Sequence, residues 1–332
     1  MISYRVDSAG VRFWYDTRPT LKKTAADRKT QRTEREIREE IFRRLKAVRN
    51  EKPFAGVSIC PSSGAEVFDN NEGVRLVVLG PDDTYSNDGG KAEAAASDIL
   101  DMRGNSPRKF CNMLVFAAPD SGLIEGLKEA VREYLAWRSI DDEREALRLD
   151  TKQIRDVRLM LESADKNIKK NIAETWCRIL VPVVDIKTDI KTVKWNVLKT
   201  SGAAESVAKN SAECLIREEA VIEKLAAKVL LMELEDLLWN DNGGIKIETL
   251  WDMLCMYCYM PRLEGFAVLE GAVIEGLRSK CFALADGKDD DKYTGLRFGD
   301  VRVNRSSYIV KKDTALRQLE EEERNKPSAP DV

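Results

Sequence analysis

Histidine is absent from all 332 residues. That absence removes a Ser-His-Asp triad, a Cys-His dyad, His-ligated zinc and any imidazole general base working near neutral pH. Catalysis would have to rest on Asp, Glu, Lys, Tyr or Cys, so composition favours a non-catalytic chain. No run of about 18 apolar residues occurs, and Met-Ile-Ser-Tyr-Arg-Val-Asp at the start has no signal-peptide core. The expectation is a cytoplasmic protein with no membrane partner. A global basic excess is also missing, since the net charge is -3, and composition does not argue for nucleic acid. The charge is uneven, however: residues 1–50 carry 14 Lys or Arg against 7 Asp or Glu, an excess of seven.

A disulfide framework is lacking too. The seven cysteines, at 60, 111, 177, 214, 255, 258 and 281, are odd in number and mostly sit inside apolar runs. They read as small buried hydrophobes of a reducing compartment. Cys255 and Cys258 form a C-x-x-C, but inside Leu250-Trp-Asp-Met-Leu-Cys-Met-Tyr-Cys-Tyr-Met260, which reads as an apolar helix. With no second pair and no histidine, a four-ligand zinc site cannot be assembled from it.

What is present reads as an α/β layer followed by helices. Tyr4–Tyr15 alternates as a β-hairpin with a turn at Asp7–Gly10. Thr17 is then expected to cap a helix with Pro19 in its first turn, running on to about Arg49. Buried strand runs at Gly56–Cys60, Val74–Gly80 and Phe110–Pro119 alternate with helical stretches at Ala92–Met102 and Ser121–Trp137. That alternation argues for a mainly parallel sheet. Residues 140–175 read as a long charged helix. Arg178–Asp185 reads as a strand that Pro182 would place at an edge, with Lys194–Leu198 as its partner. Glu205–Leu238 is expected to be helical with a break near 217. Between 245 and 299 a helix (Glu248–Tyr259), a second helix (Phe266–Arg278) and two strands (Cys281–Ala285 and Tyr293–Phe298) follow the order of a winged helix. Lys311–Arg324 reads as a charged helix, and the polar tail Asn325–Val332 reads as disordered. The expected modules are a residual hairpin (1–18), an α/β module (19–140), a helical region with a short strand pair (141–240), a winged-helix-like module (241–310), and a charged helix with tail (311–332).

Four constellations carry possible chemistry. Gly89-Gly90-Lys91 opens a helix after a buried strand, as a phosphate loop does. Yet Tyr85 stands where the first glycine of that loop belongs, and Ala92 where the magnesium-binding hydroxyl belongs. A solvated surface loop is the simpler reading, and nucleotide binding by Gly89, Gly90 and Lys91 is the rival. The second constellation is the recognition helix of the winged segment. It carries Glu270 and Glu275 against Arg278, with a wing of Asp286, Asp289, Asp290 and Asp291 against Lys288 and Lys292. That surface repels a polyanion and suits protein contacts better. The third is the basic stretch, in which Arg18, Lys22, Lys23, Arg28, Lys29 and Arg32, followed by Arg35, Arg38, Arg43 and Arg44, could track phosphates. Glu34, Glu36, Glu39 and Glu40 offset part of that charge, so a solvated face or a dock for an acidic partner is favoured over nucleic acid. The fourth is carboxylates: Asp141, Asp142, Glu143, Glu145, the Asp289 run, and single acids at Asp120 and Asp185. They lack the Glu-x-Lys partner a metal-dependent nuclease would want, and no metal site is expected.

Phe13-Trp-Tyr-Asp-Thr-Arg-Pro-Thr-Leu21 with Ala26-Asp-Arg28 resembles the segment after the ATPase core of large bacterial and archaeal ATP-binding proteins grouped as domain of unknown function 499. Further runs fit in order: Arg75-Leu-Val-Val-Leu-Gly-Pro81, Arg103-Gly-Asn-Ser-Pro-Arg108, Asn112-Met-Leu-Val-Phe116 and Tyr134-Leu-Ala-Trp137. Then come Leu180-Val-Pro182, Leu231-Met-Glu-Leu-Glu235, Leu250-Trp251, Tyr257-Cys-Tyr-Met-Pro-Arg-Leu263 and Tyr293-Thr-Gly-Leu-Arg-Phe-Gly299. The resemblance covers about residues 4 to 318. It implies a part of an AAA-type ATPase from anti-phage defence loci, with the Walker motifs upstream of this region. No position here matches those motifs, so ATP and magnesium are implied only for full-length members. The implied role is a non-catalytic scaffold or sensor whose partner is the ATPase core or another defence component. Residues 11–29 then read as a junction: the wing hairpin of an upstream winged helix, followed by the first helix of this module.

Overall fold

The computed structural model describes the chain except at positions 1, 8, 9, 16–19, 88, 89, 186–188, 240–242, 291 and 325–332, with backbone alone at 2–7, 10–15, 189–191 and 237. Thr17, Arg18, Pro19, Gly89, Asp291, the centre of the hairpin turn and the tail therefore lie outside the described residues. Strands β1 (Ile2–Asp7) and β2 (Gly10–Tyr15) pair antiparallel as a separate hairpin, Tyr4 opposite Phe13.

The single basic helix expected to run to Arg49 is two helices, α1 (Leu21–Thr30) and α2 (Glu34–Leu45). Thr33 interrupts it for a local reason. Its hydroxyl accepts the Glu36 N–H at 3.3 Å, while the Glu36 carboxylate accepts the Thr33 N–H at 2.8 Å. This capping box satisfies donors that would otherwise be orphaned at a new helix start. The cap of α1 is Thr20, whose hydroxyl accepts from Lys23 N–H at 3.3 Å.

The α/β sheet contains β3 (Gly56–Ile59), β4 (Arg75–Val78), β7 (Leu114–Ala118), β8 (Arg178–Asp185) and β9 (Asp189–Lys199), in that spatial order. Between them lie α3 (Gly90–Asp101), a minimal hairpin of β5 (Met102–Arg103) and β6 (Ser106–Pro107), and the helices α4 (Ile124–Asp142) and α5 (Thr151–Thr175). The sheet is mixed: β3, β4 and β7 are mutually parallel, and β8 is antiparallel to both of its neighbours, β7 and β9. One crossover helix, α3, carries the chain back to start β7 parallel to β4. Two helices, α4 and α5, return it to the end it left, so β8 must run the other way. The long charged helix of residues 140–175 is thus the end of α4, a turn, and α5, started by an Asp150–Gln153 capping box.

Alternate residues of the strands serve opposite faces. Val77, Leu79, Leu114 and Phe116 pack under α3 through Ala92, Ala96 and Ile99. Leu76, Val78, Val115 and Ala117 face α2, α4 and α5 through Ile41, Leu127 and Ile168. Pro182 does not mark an edge strand. β8 pairs with β7 only over Arg178–Leu180, and Pro182 stands beyond that stretch, where its missing N–H breaks no ladder. The edges of the sheet are β3 and β9.

The second half contains α6 (Val207–Arg217) and α7 (Ala227–Glu233), the latter continuing into a π-turn at Leu234–Leu238. Then follow β10 (Gly244–Lys246), α8 (Ile247–Met256), α9 (Phe266–Arg278), β11 (Phe282–Ala285), β12 (Gly287–Asp289), β13 (Lys292–Thr294), β14 (Tyr308–Lys311) and α10 (Lys312–Arg324). The three-stranded sheet β10-β14-β11 is antiparallel throughout, which is the strand order of a winged helix. Its closing strand is β14, not the expected Tyr293–Phe298. The expected pairing of Tyr293–Phe298 with β11 is present in part: Arg297 exchanges both backbone hydrogen bonds with Leu284 at 2.9 Å, while Lys292–Thr294 folds back on Gly287–Asp289 within the wing. Helix α8 ends at Met256, so Cys255 is helical and Cys258 lies in the following turn. Gly276 lets α9 lie close on the sheet: a Cβ there would meet the Phe282 ring at 2.1 Å. One hydrophobic core runs from α2 through the five-stranded sheet into α8 and α9.

Candidate interaction surfaces

In an open α/β sheet the carboxyl ends of parallel strands are the usual place for a ligand. Here β3 is followed by Cys60, whose φ of +46° turns the chain toward Ser62 and Ser63. Across from them, past the end of β4, stands Asp83. A cleft of about 490 Å³ lies between this loop and α3, bordered by Ser62, Ser63, Asp83, Asp98 and Asp101 and by no Lys or Arg. Burial raises the Asp83 carboxyl above its ordinary pKa. Such a lining repels phosphate. Gly90 opens α3 with φ +60°, close to Ser86 Oγ and the Thr84 carbonyl, and Lys91 is exposed. The Ala92 N–H, next in the helix, is already donated to Thr84 O at 3.2 Å. Among the described residues no group of three or more Cys, Asp or Glu could hold a metal ion.

The basic helices are neutralised from within. Arg28 donates to Glu143 at 2.6 Å and to Ser139 at 3.0 Å on α4, and Lys29 pairs with Glu129 at 3.1 Å. Arg32 pairs with Glu36, Arg35 with Glu39, and Arg38 with Asp82, at 2.8–3.0 Å. Arg43 and Arg44 both reach the buried Glu40, and Arg44 also reaches Asp165 at 2.7 Å. Burial alone would raise the Glu40 pKa, but the two guanidinium hydrogen bonds hold it below the ordinary value. Of the candidate contacts described on the basic stretch, Lys22 and Lys23 are exposed and have no ion pair among the described residues. The acidic partners of the basic stretch are carboxylates of the same chain: on α2 itself, on α4 and at its C-terminal cap, and at Asp82 and Asp165.

The carboxylates are committed in the same way. Asp120 takes Arg178 Nε at 2.7 Å and the Gly122 N–H at 2.9 Å, and Glu143 takes Arg28. On the winged segment Arg278 pairs with Asp300, and Arg297 grips Asp286 with both terminal nitrogens. Glu275 and the tip acids Asp289 and Asp290 are left solvent-exposed. Burial pushes the Cys60 and Cys111 thiols up to about 12 and Cys258 up to about 11, far from thiolate at neutral pH.

Several residues of the quoted runs occupy the interior, where their role is architectural. Arg108 is buried and wraps the loop after β3, donating to Gly64 O at 2.8 Å, Ile99 O at 2.8 Å, and Val67 O and Phe68 O at 3.3 Å. Arg262 is buried where the five-stranded sheet meets the winged segment. It donates to Asn112 O at 2.5 Å, Asn112 Oδ1 at 2.8 Å, Pro182 O at 2.9 Å and Ala220 O at 3.3 Å, and pairs with no carboxylate. Desolvation lowers its pKa to about 10. Asn112 returns its amide N–H to Leu254 O at 2.8 Å and Met260 O at 3.2 Å. Trp251 Nε1 donates to Asn71 O at 2.9 Å across the same seam. None of these was singled out for a role by residue type. The available signal was an arginine inside an apolar run, as in Tyr-Met-Pro-Arg-Leu, which is rarely solvated.

Among the described residues no helix is long and apolar enough to cross a membrane. Comparison with protein-family models, with curated proteins and with solved structures yields no match.

Proposed function

We propose that this chain is a non-catalytic protein-interaction scaffold, in which a mixed α/β layer and a winged helix are locked into one body. The observation that carries this reading is the internal use of its chemistry-bearing side chains. Arg28, Lys29 and Arg32 are paired within the chain, Arg108 and Arg262 hold backbone carbonyls, and burial keeps the Cys60, Cys111 and Cys258 thiols protonated. An acidic wing and an acidic strand-end cleft speak for protein contacts over phosphate. Within this reading the protein is cytoplasmic and serves an anti-phage ATP-binding protein of the type its motifs resemble. The ATPase core, with its nucleotide and magnesium, is the partner, and nucleotide state is passed to this body by contact.

Three measurements test it. Purified chain with ATP and magnesium is expected to release no phosphate above the rate without protein. Its melting temperature is expected to stay unchanged with millimolar ATP analogue, which also tests Gly89, Gly90 and Lys91. A gel shift with duplex and single-stranded DNA at low salt is expected to show no complex. Turnover of ATP, or salt-sensitive DNA binding lost on changing Lys22 and Lys23, overturns the scaffold reading.

A further inference from the structure

The eleven-residue strand β9 ends the sheet, and among the described residues no further strand lies on its outer side. The direction of its free backbone groups follows from a single hydrogen bond. Thr200 N–H donates to Cys177 O at 2.9 Å, so Thr200 and Cys177 form a hydrogen-bonded pair at the end of the β8–β9 ladder. Antiparallel pairs alternate. Asn196 with Val181 and Leu198 with Ile179 therefore exchange bonds inward, and the N–H and C=O of Trp195 and Val197 point outward. Two contacts agree. The Pro182 carbonyl, opposite Trp195, faces away from β9 and accepts from Arg262. The Lys199 carbonyl, of the same parity as Val197, accepts from Cys214 Sγ at 3.6 Å on α6, outside the ladder.

The side chains along this edge are two-sided. Trp195 and Val197 are only half-buried, although both pack on the α3-side core and Trp195 meets Phe116 edge-on at 5.5 Å. Lys194 and Asn196 are exposed on the other side. The strand carries Lys191, Lys194 and Lys199 against Asp189. Edge lysines keep a second copy of the same edge away. A twofold pairing centred on Trp195, for example, would set Lys191 opposite Lys199.

We infer that the β9 edge is a strand-addition site for an extended acidic segment of a partner protein, with acids toward Lys194 and apolar residues beside Trp195 and Val197. The added strand closes the outward N–H and C=O groups of Trp195 and Val197, which supply affinity, while the alternation of apolar and acidic positions supplies selectivity. This inference rests on the interaction reading above and names its surface.

The test is amide hydrogen exchange by NMR on the full chain, with a blocked ten-residue peptide alternating Val and Glu as probe. Exchange at Trp195 and Val197 is expected to slow at least tenfold, while Asn196, already bonded inward, stays as it was. The same peptide with Lys in place of Glu should give no protection. Val197→Pro removes an outward donor that the β8–β9 ladder does not use. It should keep Asn196 protected and abolish the effect of the peptide. Lys194→Glu should weaken binding about fivefold, the equivalent of about 1 kcal/mol. Unchanged exchange at saturating peptide, or equal protection by the Lys peptide, overturns the proposal. So does protection of Trp195 and Val197 in the free chain accompanied by a doubled mass in sedimentation, which gives the edge to a second copy. A failed peptide with no ATP turnover removes this site alone, whereas ATP turnover removes the scaffold reading itself.

Discussion

Two seams hold this molecule together, and they are built in opposite ways. The seam between α1–α2 and α4–α5 is stitched with ion pairs such as Arg28–Glu143, Lys29–Glu129 and Arg44–Asp165. The seam between the sheet and the winged segment has one buried cation, Arg262, held by carbonyl oxygens and Asn112. The first is rich in charge and mostly bathed in solvent, where each pair contributes little. The second is dry, and each acceptor left without its donor there costs its full desolvation. A count of charges therefore marks neither the stability nor the binding surface of this protein. Burial decides which charge matters.

The sharpest way to break that contrast is Arg262→Met. The stem volume is kept, but carbonyls of Asn112, Pro182 and Ala220 lose their donor. A loss of about 3–5 kcal/mol in urea unfolding is expected; a loss below about 1 kcal/mol would show that the dry seam is not the stronger one. Asn112→Leu should cost about 2–3 kcal/mol on the same grounds. In a double-mutant cycle with Arg262→Met it should be non-additive by at least about 1 kcal/mol, because both belong to one network. Additivity would mean that the two act separately.

Glu40 is the exception inside the first seam, since it is buried between Arg43 and Arg44. Glu40→Gln should cost about 1–2 kcal/mol at pH 7. Its folded pKa is depressed, so its contribution is complete above the unfolded carboxyl value of about 4.3 and is lost as pH falls through the lower folded value. The variant should accordingly lose stability less steeply than the parent below about pH 5. Equal slopes in acid titrations followed by circular dichroism would remove Glu40 as the source. The smallest effect belongs to the open seam proper. The coupling of Arg28 to Glu143 in a double-mutant cycle should stay below about 1 kcal/mol and shrink in 1 M salt. A salt-independent coupling of several kcal/mol would erase the distinction between the seams.

Legibility in the sequence followed the range over which the signal acts. Val74–Leu79 and Phe110–Ala118 were readable because a continuous apolar run between turn residues can only be buried. The winged order was readable from two apolar helices separated by Pro261. The break at Thr33 is local as well, and the Thr-x-x-Glu spacing was there to be read. By contrast, β10 and β14 are three and four residues long. What makes them strands is each other, Gly244 lying opposite Val310. The nearer and better-patterned Tyr293–Phe298 drew the expectation because turn chemistry favours neighbours. The basic stretch misled for a related reason: Arg28 finds Glu143 across 115 positions, and no window of sequence contains both.

Composition and local pattern by themselves determined that imidazole chemistry is impossible, that the cysteines are not a metal framework, and that α/β and winged-helix orders follow one another along the chain. These rest on residue identity and on periodicities that act over a few residues. Only the tertiary structure decided which cations are free, which arginines are structural, that β8 alone runs against the other strands of its sheet, and which side of β9 is left open. Those outcomes depend on pairing and desolvation between segments far apart in the chain, and such energies exist only once the segments meet.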